Sequence, residues 1–201
     1  MYKIAAFIEF DKKITNKILS QKKVVKKKFG NQIYLNHPVH LTLFTLHIQK
    51  ISDLKKIYLN YKKKFNKSFS INLISPGIFI NDPLTNGHTI FYKIKKSKQI
   101  SEIQLSHIRK INRKIKVIKQ DSNKFNIEIL KKNYKKYGFP FVGKIWIPHT
   151  TIASIRKISA DDKFLKKFLQ SKVNLKCKFN KIKFYKIIKN KHEYLFSVKD
   201  I

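Results

Sequence analysis

Apolar and polar residues follow two rhythms along this chain, alternation in some stretches and helical spacing in others. Alternation predicts β-strands, because successive strand residues point to opposite faces. The predicted strands cover 2–10, 39–48, 69–80, 89–96, 145–155 and 173–179, with a last pair around 182–184 and 194–198. Helical spacing predicts helices over 12–29, 52–65, 100–111, 127–137 and 160–171. Strands and helices are therefore mixed along the whole chain.

A His-x-Thr tripeptide occurs at two matching places in this pattern, at residues 40–42 and 149–151. Each copy is followed by a helix, a strand with apolar odd-numbered residues, an interruption that shifts the apolar phase, and a final alternating strand. The interruptions are residues 75–77 and 180–181. The odd-phase strands begin 29 and 24 residues after the motif histidine, and the last strands begin 50 and 45 residues after it. This constant offset predicts a duplicated β(His-x-Thr)-α-β-β unit.

The domain organisation follows from this repeat. No low-complexity linker separates the two copies, so we expect a single domain, residues 1–201, made of two lobes that share one cleft. Lobe one is predicted to cover about 1–97 and lobe two about 98–201. Exchange of the amino-terminal strand between the lobes is left open.

The composition adds a large positive charge. The chain has 201 residues, 42% of them hydrophobic, which is enough for a real core. Its formal net charge is +35, because 46 Lys and Arg oppose 11 Asp and Glu. This charge predicts attraction to polyanions, of which RNA is the obvious one. Only Arg109, Arg113 and Arg156 are arginines, so a genome bias towards lysine codons explains the charge as well, and both interpretations stay open.

Other features indicate a cytoplasmic protein without a membrane segment. Cys177 is the one cysteine, so neither a disulfide framework nor a cysteine-based metal site can form within the chain. The amino terminus, MYKIAAFIEFD, lacks the basic flank and long apolar region of a signal peptide. No segment is apolar enough to predict a membrane span. We therefore expect a cytoplasmic monomer.

The two motifs are predicted to place an imidazole beside a hydroxyl on one strand face. His40 and Thr42 are two residues apart, as are His149 and Thr151, so each pair projects together while Leu41 points into a core. If the repeats pack about a pseudo-twofold axis, both pairs meet in one cleft. An imidazole with an ordinary pKa of about 6.5 can take or give a proton near neutral pH. This set of groups suits displacement at phosphorus, as in opening a 2′,3′-cyclic phosphate.

Neither a metal ion nor another cofactor is predicted at this site. A metallophosphoesterase needs carboxylates near its histidines, and only three of the eleven lie within twelve residues of a motif, namely Asp53, Asp161 and Asp162. His37 and His40 could form a metal pair, but a third ligand is lacking. His47 is predicted on the opposite strand face from His40, and His192 has no motif around it.

The motifs resemble those of the two-histidine (2H) phosphoesterases, which include LigT-like bacterial RNA 2′,5′-ligases and cyclic phosphodiesterases. The resemblance rests on residues 40–43 (HLTL) and 148–153 (PHTTIA), and the chain length and duplicated layout extend it over most of the chain. It implies an α+β fold whose two antiparallel sheets face a central cleft, with helices on the outside. It also implies that the motif histidines act as acid and base and that Thr42 and Thr151 bind phosphate. Which histidine is the base stays open.

Three further residues are candidates for substrate binding. Phe139 and Phe141 could stack on a base, as aromatic residues do in single-stranded nucleic-acid binders, although a packed loop is the alternative. Arg156 could meet a phosphate. Many of the similar enzymes carry an arginine directly after the alanine of the second motif, where this chain has Ser154. This difference leaves the substrate undefined.

The sequence thus predicts a metal-independent phosphoesterase. It would hydrolyse, or in reverse ligate, 2′,3′-cyclic phosphate or 2′,5′-phosphodiester bonds in RNA ends or nucleotides. A catalytically idle, basic RNA-binding module of the same fold is the alternative. Retention of both histidines and both threonines favours the enzyme, because a decayed site would be expected to lose at least one of them.

Overall fold

A computed structural model describes residues 1–59, 69–82, 84–119, 121–122, 125–156, 158–159, 161–179, 181–189 and 191–199. The helices are α1 (Lys12–Phe29), α2 (Ile51–Leu59), α3 (Lys98–Lys114), α4 (Glu128–Tyr137) and α5 (Lys163–Gln170). The strands are β1 (Tyr2–Glu9), β2 (His40–Ile48), β3 (Phe69–Asp82), β4 (Gly87–Ile94), β5 (Val117–Ile118), β6 (His149–Ile155), β7 (Leu175–Phe179), β8 (Lys181–Ile188) and β9 (Lys191–Lys199). The predicted end of the second helix, residues 60–65, and the interruption at Asn180 lie outside the described residues.

The strands form two antiparallel sheets, which confirms the predicted α+β class. The first sheet has the order β5-β2-β1-β8-β9, and the second has the order β6-β4-β3-β7. β2 carries the first motif and β6 carries the second, so each sheet holds one His-x-Thr pair. These two strands also contact each other across the sheets.

Both sheets draw strands from both halves of the chain, so a boundary near residue 97 does not separate them. After β2 in the first sheet, the chain crosses to the second sheet for β3 and β4. After β6 in the second sheet, it returns to the first sheet for β8 and β9. The final hairpin of each repeat therefore lies in the same sheet as the motif strand of the other repeat. β1 pairs with β2 on one side and β8 on the other, which joins the two halves directly.

A β-bulge follows each motif. In β2 the extra residue is Leu43, because Phe7 pairs with Thr42 and the preceding residue of β1 pairs with Phe44. A bulge of this kind places two residues opposite one and reverses the alternation beyond it. His47 is consequently on the same face as His40, opposite Lys3 of β1. The predicted opposite placement of His47 was wrong, because simple alternation does not include the bulge.

Local signals explain where the helices begin and end. Asp11 caps α1 by accepting a hydrogen bond from the Ile14 N–H, and Ser97 does the same for α3 through the Ile100 N–H. Gly138 ends α4 in the left-handed conformation with φ 72°. The two-residue strand β5 and a 3-10 helix at Gly143–Ile145 were not predicted, and β6 begins only at His149. Both segments are too short to leave a periodic pattern.

Candidate active site

Both motif histidines are held in the same way by the chain just before them. The His40 Nδ1 lies 2.7 Å from the Pro38 carbonyl oxygen, and the His149 Nδ1 lies 2.8 Å from the Ile147 carbonyl oxygen. A carbonyl oxygen only accepts, so Nδ1 carries the proton in each ring. The Nε2 atom of each neutral ring is then a bare acceptor. Each histidine is therefore fixed in the tautomer that can take a proton at Nε2.

An aromatic side chain from the neighbouring strand supports each histidine. Phe7 stacks on His40 with ring centroids 3.8 Å apart and an interplanar angle of 22°. Phe91 lies 4.9 Å from His149 at an angle of 54°. Phe7 pairs with Thr42, and Phe91 occupies the equivalent register position opposite the second motif threonine. The two motifs therefore have the same arrangement, including an aromatic ring beside the histidine.

Gly77 makes room for one of these supporting rings. A Cβ atom at this position would lie 2.5 Å from Cε2 of Phe91 and 2.7 Å from its Cζ, which is too close for real atoms. Gly77 in β3 pairs with Phe91 in β4, so the Phe91 ring covers the glycine backbone. Gly77 does not have a positive φ, so its requirement for glycine comes from this close approach.

The surroundings of the two histidines differ in charge. His192 from β9 contacts His40 edge to face at 5.7 Å, and it contacts His37 at 4.8 Å. Burial, together with the positive character of His192, His37 and Lys22, lowers the pKa of His40 to about 3. Burial lowers the pKa of His37 to about 4, with smaller contributions from His192 and Lys22.

His149 has the Asp82 carboxylate in its vicinity. Burial lowers its pKa, while the hydrogen bond to the Ile147 carbonyl and the negative charge of Asp82 act in the opposite direction. The Asp82 carboxylate accepts hydrogen bonds from the Thr89 hydroxyl at 2.6 Å and from the Leu84 N–H at 3.0 Å. The Asp82 charge therefore favours protonation of His149, whereas the charges of His192, His37 and Lys22 disfavour protonation of His40.

A buried lysine positions the loop that leads to the first motif. Lys22 is 4% exposed, and its Nζ donates to the carbonyl oxygens of Tyr34 and His37 at 2.7 Å each. Burial lowers the Lys22 pKa to about 8. Tyr34 has a positive φ of 71°, an uncommon conformation that the surrounding structure must hold in place. Lys22 thus fixes the backbone on both sides of this turn.

Solved structures resemble this fold over nearly its whole length. TT0787 of Thermus thermophilus superimposes with a TM-score of 0.63 at 12% identity, covering 98% of this chain and 97% of that chain. A crystal structure of a phosphoesterase gives 0.58 at 11% identity, with 98% and 96% covered. E. coli LigT in complex with NADP+ gives 0.57 at 10% identity, again with 98% and 96% covered. The chain has a LigT-like fold.

The similarity to these structures is one of fold, since so few residues are identical. No protein-family model and no curated protein sequence matches the chain. The described part of the LigT-like fold contains no group of three or more His, Cys, Asp or Glu residues placed to hold a metal ion. None of its described helices is long and apolar enough to cross a membrane.

The structure leaves little space for a larger side chain at Ser154, the residue directly after the alanine of the second motif. Ser154 is 0% exposed, and its Oγ lies 2.6 Å from the Thr85 Oγ1. A Cβ on Gly87 would approach the Ser154 Oγ to 2.8 Å, so the space around the hydroxyl is already filled. A guanidinium at position 154 would need this neighbourhood to open.

Arg156 is exposed just beyond the end of β6. Its backbone N–H donates to the Gln32 Oε1 at 3.1 Å. It lies five residue steps beyond Thr151, roughly 16 Å at about 3.3 Å per step. The LigT-like fold therefore places Arg156 at the far end of the strand from His149.

The two predicted stacking residues have different surroundings. Phe139 is 8% exposed and belongs to the main core, so its ring is not free to stack on a base. Phe141 is 38% exposed, and its backbone carbonyl accepts a hydrogen bond from the Gln104 Nε2, which also donates to the Leu43 carbonyl. Of the pair, only Phe141 has an open ring surface in this LigT-like fold.

Several residues of the candidate site were not recognised from the sequence. Lys22 left a usable signal, because it occupies a core-facing position in the helical stripe formed by Ile14, Ile18, Lys22 and Val25. A lysine in such a stripe predicts a buried amine with hydrogen-bond acceptors around it. Phe7, Phe91 and His192 left no such signal, because strand pairing between distant segments brings them to the motifs.

Proposed function

We propose that this protein is a phosphoesterase that opens 2′,3′-cyclic phosphates or 2′,5′-phosphodiesters in RNA ends or nucleotides without a metal ion. The observation that carries this proposal is the matched pair of histidines, each with Nδ1 bonded to a backbone carbonyl and Nε2 left to exchange a proton. General acid–base catalysis at phosphorus needs two such groups, one to take a proton and one to give it.

The reaction can be written with these groups alone. One Nε2 takes a proton from water, whose oxygen attacks phosphorus. The other, protonated Nε2 gives its proton to the ribose oxygen as the bond from phosphorus to that oxygen breaks. Thr42 and Thr151 donate hydrogen bonds to the non-bridging phosphate oxygens, where charge builds up in the transition state. Exchange of protons with solvent then restores both rings.

The unequal surroundings support His40 as the base and His149 as the acid. His40 is stacked on Phe7 beside His192 and near Lys22, which disfavours a positive charge on its ring. Asp82 favours a positive charge on His149. The charges around the two rings thus favour the state with neutral His40 and protonated His149. This state has the protons in place for hydrolysis.

A nucleotide ligand is supported by the fold comparison. Structures of E. coli LigT with the same fold contain NADP+, 3′-AMP, ATP or phosphate. All four ligands carry phosphate groups, and three of them are nucleotides. We infer that the present site also accepts a nucleotide phosphate, placed between the two His-x-Thr pairs.

Product analysis on defined substrates tests this function. The protein is incubated with 2′,3′-cyclic mononucleotides, 2′,5′-linked dinucleotides and 3′,5′-linked dinucleotides in the presence of EDTA, and the products are separated by chromatography. Hydrolysis of the first two classes with EDTA present is expected. An enzyme that EDTA silences and a divalent ion restores would contradict the mechanism. A protein that turns over none of the substrates but binds RNA would instead be the catalytically idle module.

A further inference from the structure

Helix α3 borders three cavities that lie outside the candidate active site. Their volumes are about 650, 360 and 480 Å³. Arg109, Lys110, Arg113 and Lys114 each line at least two of them, so the cavities form one continuous surface along the last turns of the helix. We call these four residues and the cavities beside them the α3 basic surface.

The charge of the α3 basic surface is concentrated well beyond the average of the chain. Sixteen residues line the three cavities, and eight of them are cationic while only Asp53 is acidic. Lysines from neighbouring elements complete it, including Lys50 after β2, Lys56 of α2 and Lys136 of α4. Such an excess of one sign along grooves raises the local concentration of a polyanion.

The α3 basic surface contains two arginines, although the chain as a whole strongly favours lysine. The chain has 46 Lys and Arg but only three arginines, and two of the three, Arg109 and Arg113, lie one helical turn apart here. None of the ion pairs among the described residues includes either arginine. The planar guanidinium offers a fork of donors that matches a phosphate, which lysine does not. Codon bias alone gives no reason for this placement.

The arrangement has an energetic cost within the helix. Arg109 with Arg113, and Lys110 with Lys114, are like charges four residues apart, and each such pair destabilises a helix. The helix dipole favours cations in the last turn, which accounts for Arg113 and Lys114. It does not account for Arg109 and Lys110 one turn earlier. The Lys110 ammonium is buried over the Tyr58 ring, so an anionic partner would offset the cost by neutralising the other three.

We propose that the α3 basic surface binds the phosphate backbone of single-stranded RNA. Among the described residues, no large exposed apolar side chain lies on α3, so the surface lacks the apolar anchors that a membrane-binding helix uses. Proteins that bind single strands without sequence preference typically have a groove lined by cations, and this groove follows the nucleic-acid backbone. The bound strand makes its contacts through phosphates, and several phosphates are needed to use the whole surface.

This surface lies at the opposite end of β2 from the motif histidine. β2 begins at His40 and ends at Ile48, which lines the largest of the three cavities. The eight residue steps between them span roughly 26 Å at about 3.3 Å per step. A mononucleotide at His40 cannot also reach α3, whereas an RNA of several nucleotides can. The surface therefore selects for RNA chains over small nucleotides, if the proposed phosphoesterase activity is correct.

Direct binding measurements test the surface without relying on catalysis. The probe is a fluorescent 12-nucleotide single-stranded RNA with an ordinary 3′-hydroxyl end, and its affinity is measured by anisotropy between low and physiological salt. For Arg109→Gln/Arg113→Gln we expect binding weaker by on the order of tenfold, and a log–log salt slope smaller by about 1.4, since each contact to a single strand contributes about 0.7. Arg109→Lys/Arg113→Lys should keep the slope and lose only part of the affinity.

Lys23→Gln/Lys27→Gln is the matched control, because these two lysines have the same spacing on the exposed side of α1. Its RNA affinity should change less than twofold. Equal losses in both double variants would overturn the proposal and favour diffuse attraction by the whole charge. A parent protein that prefers phosphatidylserine vesicles or polyglutamate to RNA, with that preference lost in Arg109→Gln/Arg113→Gln, would also overturn it. Turnover of a 2′,3′-cyclic mononucleotide by the same variants reports separately on the phosphoesterase function.

Discussion

Leu43 and Ile152 occupy equivalent places in the two repeats: each is the extra residue of a bulge, three positions after the motif histidine. Phe7 and Phe91 pair with the motif threonines, and the residue before each of them pairs beyond the bulge. Both bulged residues are fully buried. The bulges re-aim the strand just after His-x-Thr, which is where bulges commonly serve a functional site. The duplication is thus retained in the backbone as well as in the motif.

Replacing a motif histidine should abolish most of the activity. We expect His40→Ala and His149→Ala each to lower kcat on a 2′,3′-cyclic nucleotide by about 10²- to 10⁴-fold, the usual scale for losing a general acid or base. The double variant should lose far less than the product of the two effects, because the groups act as a unit. Single-turnover rates of the three variants measure this.

Replacing a motif threonine should lower the activity less than replacing a motif histidine. Thr42→Ala and Thr151→Ala each remove one hydrogen bond to the phosphate and leave the proton route intact, so we expect smaller losses than for the histidines. The melting temperatures of all these variants should stay close to that of the parent protein, because the motif side chains point away from core residues such as Leu41. Full activity of His40→Ala beside a dead His149→Ala would mean that only one repeat is functional.

Most of the motif geometry could be predicted from the sequence, and the reason is local. Two residues of spacing place His40 beside Thr42 on any strand, and the paired repeat identifies the second pair. Strand order could not be predicted in this way. It depends on which sheet each hairpin joins after its helix, and that is decided by packing between distant segments rather than by periodicity. The same non-local pairing brings Phe7 to His40, so this contact could not be predicted from the sequence.

The pH dependence of activity should reveal the unequal histidines. The acid must be protonated, and the pKa of His149 lies below its ordinary value. We therefore expect kcat/KM to fall as pH rises, and the fall should begin below about 6.5. The base must be neutral, and the pKa of His40 at about 3 keeps it so at all higher pH. A kcat/KM profile between pH 4 and 9 measures the alkaline limb, and the acidic limb should lie at or below the low end of this range.

Replacing His192 tests which ring is the base. His192 disfavours a positive charge on His40, together with His37 and Lys22. In His192→Gln the pKa of His40 should rise, so the acidic limb of the kcat/KM profile should move to higher pH while the alkaline limb stays. His47→Gln, on the same sheet face but opposite Lys3, is the control and should move neither limb. Movement of the alkaline limb in His192→Gln would reverse the assigned roles.

Gly77→Ala should damage the second motif through its supporting ring. The added methyl would lie 2.5 Å from the Phe91 ring, so the ring must shift against His149. We expect a loss of about 1–3 kcal/mol in the free energy of unfolding, as for other overpacked sites, and a lower kcat. Denaturant unfolding and steady-state kinetics measure the two effects. Adding Phe91→Leu should restore stability without restoring kcat, whereas recovery of both would show that Phe91 does not position His149.

His107 should make the protein sensitive to acid, independently of the candidate site. Its ring is 4% exposed and its Nδ1 lies 2.9 Å from the Tyr58 hydroxyl oxygen, and burial lowers its pKa to about 4. The unfolded chain binds a proton at about pH 6.5, and the folded chain does so only near pH 4, so stability falls as pH drops between these values. In His107→Gln this contribution is absent. The difference in unfolding free energy between the parent and the variant, measured in urea, should therefore shift by about 2 kcal/mol from about pH 7.5 to about pH 4.5, in favour of the variant.

Tyr58→Phe removes the hydrogen bond but leaves His107 buried, so it should keep the acid sensitivity of the parent. Equal pH dependence in the parent and His107→Gln would show that other groups cause the acid sensitivity.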